Sequence, residues 1–185
     1  MARILKHKRG LSHVVTTLII LVVAVLLTSV VTYYATNMTM TRTRQEEVRI
    51  TKQHIWVNST GAVAGFKIHN MGGRDVLVEK IEVRGVEDSW SSVYYYRDPS
   101  GAELIGDMKI TSPTKLSGTS VTLYGRTYNR SSRNIPLASG GVLFIYVKNP
   151  SNIDLTDLGT ACSITVFTLN AQYIVETIVG SLTQQ

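Results

Sequence analysis

The strongest pattern in the chain is an unbroken apolar run near its start. From Leu11 to Tyr34, in "LSHVVTTLIILVVAVLLTSVVTYY", every residue is apolar or weakly polar except His13, and no Asp, Glu, Lys or Arg stands between Arg9 and Arg42. The run is apolar all the way round, so a helix built from it must be covered on every side. Twenty-four helical residues at about 1.5 Å each reach roughly 36 Å, more than the hydrocarbon core of a bilayer at about 30 Å. The β-branched Val, Ile and Thr lower helicity in water, but in lipid the backbone has no partner except itself. The following "ATNMTMTRTRQEEVRI" contains no Gly or Pro, so the helix is expected to continue to about residue 45.

Beyond that point the period changes to two. Short apolar or alternating runs recur between turn signals, and they predict strands at Val48–Val57, Ala62–His69, Val76–Val83, Ser91–Tyr96, Lys109–Ser112, Ser120–Tyr124, Gly141–Lys148, Ala161–Leu169 and Gln172–Val179. "NSTG" at 58–61 suits a hairpin turn, and Asn170 suits a tight turn between the last two strands. "GVLFIYV" is apolar without alternation, which predicts a central strand covered on both faces. "VLVEKIEV" changes phase between Val78 and Ile81, which predicts a bulge. "RDPSG", "TSPT", "NIPLASGG" and "KNPSN" read as loops. The expected fold class is α+β: a long N-terminal hydrophobic α-helix followed by an antiparallel immunoglobulin-like β-sandwich. The expected division is 1–10 as a leader, 11–46 as the helix and 47–185 as the globular domain.

Charge sharpens the picture at the N-terminus. The chain carries a formal net charge of +6, but Arg3, Lys6, Lys8 and Arg9 all precede Gly10 and no acid does. The remaining 15 basic and 13 acidic residues are nearly balanced. No basic stripe interleaved with aromatics occurs downstream, so nucleic-acid binding is not expected. A purely cationic leader stays on the cytoplasmic side and directs the C-terminal part outward. A cleaved secretory signal would have a shorter apolar stretch, about 7–15 residues, and a small-residue cut site. Here Tyr33 stands where a small residue would be needed.

The residues "KHKRG" followed by "LSHVVTTLIILVVAVLL" resemble the class III signal peptide of archaeal type IV pilins. The resemblance implies that a membrane-embedded prepilin peptidase cuts between Gly10 and Leu11, with Lys8 and Arg9 as the cationic flank. It implies that an assembly machinery then extracts the helix from the membrane, its residence before assembly, and packs it against copies of itself. Leu18, Ile19, Ile20, Leu21, Val22 and Val23, then Val25, Leu26, Leu27, Val30 and Val31, would form the filament core. Bacterial type IV pilins carry a glutamate at the fifth position after the cut, where this chain has Val15. "LSHVVTTLII" also differs from the Gly-rich "GIGTLIVFIA"-like start of archaellins. Both departures favour an adhesion-type archaeal pilin. Two other readings share the N-terminal pattern: a signal-anchored membrane protein with an immunoglobulin-like binding ectodomain, and an archaellin-type motility subunit.

Candidate chemistry adds little of a catalytic kind. His7 and His13 lie in the leader and apolar helix, and His54 and His69 fall in separate predicted strands without ligand spacing. "GAVAG" and "NMGGRD" read as turns, since neither follows a strand and opens a helix. No Gly-x-Ser-x-Gly elbow occurs. Cys162 is the single cysteine, in the strand-like "ACSITVFTL", and reads as a small core residue. No enzyme activity, metal or cofactor is expected. In "SSVYYYRD" a strand puts Tyr94 and Tyr96 on one face and Tyr95 on the other. Ser and Thr make up about a fifth of the chain, and three Asn-x-Ser/Thr sequons begin at Asn37, Asn58 and Asn129. Asn129, in an expected polar loop, ranks first as a glycan acceptor and Asn58 second, with Asn37 close to the helix bundle.

Overall fold

With no proline before Pro99, nothing in the first 44 residues removes a helical hydrogen bond. The computed structural model, which describes residues 2–98 and 106–182 and side chains from Ser12 onward apart from Arg42, shows one helix there, α1 (Ala2–Arg44). Positions 2–10 are helical with the rest, so the backbone marks no boundary at Gly10. The chain divides into two units, Met1–Thr43 and Arg44–Gln185.

The second unit is a β-fold. Its strands are β1 (Val48–Asn58), β2 (Gly61–Asn70), β3 (Val76–Val83), β4 (Val86–Glu87), β5 (Val93–Asp98) and β6 (Ser120–Leu123). They continue as β7 (Arg126–Arg130), β8 (Ile135–Leu137), β9 (Val142–Lys148), β10 (Ala161–Thr168) and β11 (Gln172–Ser181). Hydrogen bonds run through the order β4-β3-β10-β11-β1-β2-β9-β5-β7-β6, with β8 beside β3. All pairings are antiparallel except β1 with β11. A sandwich would have two separate sheets. Here the ten-residue β11 pairs with β10 over Gln172–Ile178 and with β1 from Val179 onward, so one curled, half-barrel sheet results.

The curl encloses the main core. Val78, Ile81, Ile164 and Val166 from one half meet Phe66, Ile68, Leu143 and Ile145 from the other, all at most 1% exposed. Cys162 lies in this core as well. β9 sits between β2 and β5, and all residues from Val142 to Val147 are buried, as its uninterrupted apolar pattern predicts. Its alternate residues Val142, Phe144 and Tyr146 belong to a second core on the other sheet face, with Trp56, Tyr94 and Tyr128.

That second face is roofed by a segment without strand structure. Sequence pattern placed a strand at Lys109–Ser112, but those residues make no ladder. Backbone carbonyls of this segment and of the following Leu116 bond instead to side chains of β9 and of the β6–β7 turn. Tyr146 donates to the Lys109 carbonyl (2.7 Å), Tyr124 to that of Ile110, and Lys148 to that of Leu116 (2.8 Å). Met108 and Leu116 fill the space beneath. Side-chain donors thus satisfy carbonyls that would otherwise need a neighbouring strand.

Other local departures have similar causes. β7 and β8 arise in segments too polar or too short to show alternation; Ile135–Leu137, expected as loop, pairs with β3. Residues 90–92 form a 3-10 turn capped by the Ser89 side chain, so β5 starts at Val93 and not at Ser91. The expected bulge in β3 is present: Lys80 faces Phe167 and Val78 faces Thr168, leaving Glu79 without an opposite residue. A second bulge in β1 falls between Thr51 and His54, where Lys52 adopts φ 54°. Gly65 lies within β2, inside the strand expected at Ala62–His69 although "GAVAG" also reads as a turn, and a Cβ there would stand 2.9 Å from the Trp56 ring and 3.0 Å from that of Tyr146. Tyr94 and Tyr96 do face the second core, while Tyr95, half-buried, packs against the main core. The expected loop residues Pro99–Gly101 lie outside the described residues.

Truncation at the sheet centre should be costly and at its outer face cheap. Ile145→Ala, at a site 0% exposed, is expected to lower the unfolding free energy by about 2–4 kcal/mol. Ile174→Ala, at a site 58% exposed, should change it by less than about 0.5 kcal/mol. Urea titration of the full chain in detergent, followed by tryptophan fluorescence, measures both.

Candidate functional site

Among the described residues, the apolar side chains of α1 are all exposed. Every expected filament-core position is open, from 47% at Val22 through Leu18, Ile19, Ile20, Val23 and Val25 to 63% at Leu21. Leu26, Leu27, Val30 and Val31 fall in the same range. No stripe is buried, so exposure follows the helix all the way round. The segment Ser12–Thr41 is long and apolar enough to cross a membrane, with a mean hydropathy of 2.9 over its best window. At about 1.5 Å per residue it measures about 45 Å. Tyr33 and Tyr34 stand edge to face, 5.9 Å apart, near the end of the apolar run.

The threonines of this helix, with Ser29, are internally satisfied. Thr16, Thr28, Ser29, Thr32 and Thr36 each donate a hydroxyl to the carbonyl four residues back at 2.8 Å. Thr39 and Thr41 do so at 2.9 Å. A hydroxyl bonded this way carries no unmet donor into an apolar surrounding, so the helix tolerates lipid or protein contact despite its threonines. The backbone at Lys8, Arg9, Gly10 and Leu11 is helical; their side chains, like that of His7, lie outside the described residues.

The β unit offers clefts of a different character. One, of about 340 Å3, is lined by Lys67, Asp107, Lys109, Tyr124, Arg126 and aromatic rings of the second core. Lys67 is 1% exposed, donates to the Gly106 carbonyl and lies 4.7 Å above the Phe144 ring, and burial pulls its pKa down, with Arg126 adding to the effect. His54 stacks on Trp56 and bonds Asp107 at 2.9 Å. These cations and rings hold the roof segment to the sheet. Lys67 was legible only as a polar residue inside the apolar run "AGFKIH", and nothing local told which face it took.

A second, open cleft of about 920 Å3 runs beside Glu87, Asp88, Trp90 and Arg130, with Ser and Thr hydroxyls along it. Asp88 is 8% exposed and its Oδ2 has no hydrogen-bond partner. Burial pushes its pKa up to about 6, opposed in part by a backbone hydrogen bond from Ser151. Among the described residues no group of three or more His, Cys, Asp or Glu is placed to hold a metal ion. His13 lies on α1, and His69 lies in β2 without joining such a group.

The sequons occupy three different settings. Asn37 lies within α1 and donates to the Tyr33 carbonyl at 3.1 Å. Asn129, expected in a loop, is in β7 and pairs with Tyr95 on one side and Ser120 on the other. Asn58 ends β1, beside a two-residue hairpin loop. In comparisons with known proteins, no family model matches this chain and no curated protein is detectably similar to it.

Asp88 gives a pH prediction with a definite sign. Its folded pKa of about 6 exceeds the ordinary 3.8, so between these values the folded chain holds the proton more tightly than the unfolded one. The contribution favours folding below pH 4 and is lost as pH rises through 6. Asp88→Asn should therefore stabilise the chain by about 1–2 kcal/mol at pH 8 and leave it unchanged at pH 4. Thermal melts of both proteins across pH 4–8 test this.

Proposed function

We propose that this chain is the structural subunit of an extracellular type IV pilus of archaeal type, polymerising through α1 and serving surface or cell adhesion. One observation carries the reading: a 30-residue apolar segment with no buried residue, in a chain whose two β cores are formed wholly from residues 48–179. None of the described side chains of the helix belongs to those cores, and all of those from Ser12 to Thr41 are open to a partner. A second copy of the same helix supplies one equally apolar. Burying on the order of 1,500 Å2 of such surface at about 25 cal/mol per Å2 yields tens of kcal/mol before entropic costs. That sum favours a polymer that resists dissociation.

The leader and the β unit take their roles from this. Lys8 and Arg9 keep the first residues at the cytoplasmic face, and a prepilin peptidase cuts after Gly10. The β unit, a curled half-barrel sheet, forms the outer surface of the filament and needs neither catalysis nor a cofactor. The hydroxyl-to-carbonyl bonds along α1 suit both stages, since the helix meets lipid first and protein later.

Protein isolated from its native cells should have Leu11 as its first residue by intact mass, and electron microscopy should show filaments that decorate with antibody to the β unit. Leu26→Asp places a charge at the middle of the apolar segment, at a cost of about 3 kcal/mol, and should reduce sedimenting polymer by well over tenfold. An intact leader on a protein that stays monodisperse in detergent assigns the helix to permanent membrane anchoring and rejects the filament.

A further inference from the structure

We infer that Asn58, at the β1–β2 hairpin, is the N-glycan acceptor of this chain, taking its sugar from a lipid-linked glycosyl phosphate or diphosphate. The inference rests on the β unit lying outside the cell and goes beyond the assembly role. Its basis is the one sequon whose hydroxyl and amide are joined. Asn58 Oδ1 accepts from the Thr60 backbone N–H at 2.9 Å and from the Thr60 hydroxyl at 2.7 Å. Among the described residues no acceptor holds the Asn58 Nδ2. Ser59 and Thr60 are exposed. The pairing of Asn58 with Gly61 closes a two-residue loop, a local contact that forms without the rest of the sheet.

The arrangement suits the chemistry of N-glycosyl transfer. An amide nitrogen is a poor nucleophile because its lone pair is delocalised onto oxygen. Loss of an Nδ2 proton to a base on the transferase leaves negative charge shared with Oδ1, where two donors already point. Nδ2 then forms a bond to the anomeric carbon of the donor. The bond from that carbon to the phosphate oxygen breaks, and its electron pair leaves with the lipid phosphate. No oxidant or reductant is involved.

The other two sequons are committed elsewhere. In Asn129-Arg130-Ser131, the Arg130 N–H bonds the Thr119 carbonyl and the Ser131 N–H bonds that of Val93, both at 2.8 Å. The Ser131 hydroxyl donates to the Arg133 carbonyl at 2.6 Å, and the residue is 5% exposed. In Asn37-Met38-Thr39, the Thr39 hydroxyl donates to the Ala35 carbonyl at 2.9 Å inside the apolar helix. Neither hydroxyl reaches its asparagine, so this inference puts Asn58 ahead of Asn129, the sequon ranked first from sequence.

The test is peptide mass spectrometry on the full chain from its native cells, paired with protease added to intact cells to report whether the β unit is outside. Trypsin releases Asn58 in peptide 53–67 and Asn129 in peptide 127–130. The expected result is a sugar mass increment on 53–67 and none on 127–130. Asn58→Asp keeps an oxygen for both Thr60 donors and removes the nucleophile, so it should fold and lose the increment. Thr60→Ser should retain the increment and Thr60→Ala should lose it. A bare 53–67 peptide from a protease-accessible β unit overturns this inference alone, as does a glycan on Asn129. A bare peptide from a protected β unit overturns the outward orientation with it.

Discussion

The covering of α1 governs what this protein can be. Ser12–Thr41 presents apolar side chains around its full circumference, and none is buried within the chain. Water is a poor neighbour for such a surface: at about 25 cal/mol per Å2, leaving it exposed costs more than a small domain gains by folding. Lipid or other protein would cover such a surface better than water, and its threonines do not oppose either, because each bonded hydroxyl is returned to the helix's own backbone. A chain under this constraint separates its tasks. The described side chains of the helix stay exposed, and the β unit completes its own packing.

The β unit is held by two kinds of interaction on the two faces of one curled sheet. Inside the curl, aliphatic side chains from β3 and β10 meet those from β2 and β9. On the other face aromatic rings and cations dominate, and a segment with no strand structure is pinned by hydroxyl and ammonium donors to its carbonyls. The long β11 joins the two halves by changing partner at Val179. Among the described residues few buried polar atoms lack a partner, and the Asp88 carboxylate, one of them, ties stability to pH near 6.

The N-terminal helix, the strands β1, β2, β3, β9, β10 and β11, the β3 bulge and the 58–61 hairpin were all legible in the sequence. Each depends on residues close together in the chain: an uncharged apolar run, a two-residue period, a change of phase, a turn motif. The same locality made three sequons equivalent on paper apart from their surroundings, and let a short apolar stretch at Lys109–Ser112 pass for a strand.

Sequence alone determined that the chain begins with an all-round apolar helix and continues as β structure, because both follow from local periodicity and charge. Tertiary structure decided what periodicity cannot express. It made Lys109–Ser112 a roof, since Tyr146, Tyr124 and Lys148 reach its neighbourhood from distant strands. It joined the strands into one path through β11, buried Lys67 against Phe144, and put Asn129 in a ladder while leaving Asn58 bonded to its own Thr60. Those outcomes depend on which residues far apart in the chain become neighbours, and hydrogen-bond and packing partners at long range leave no periodic mark.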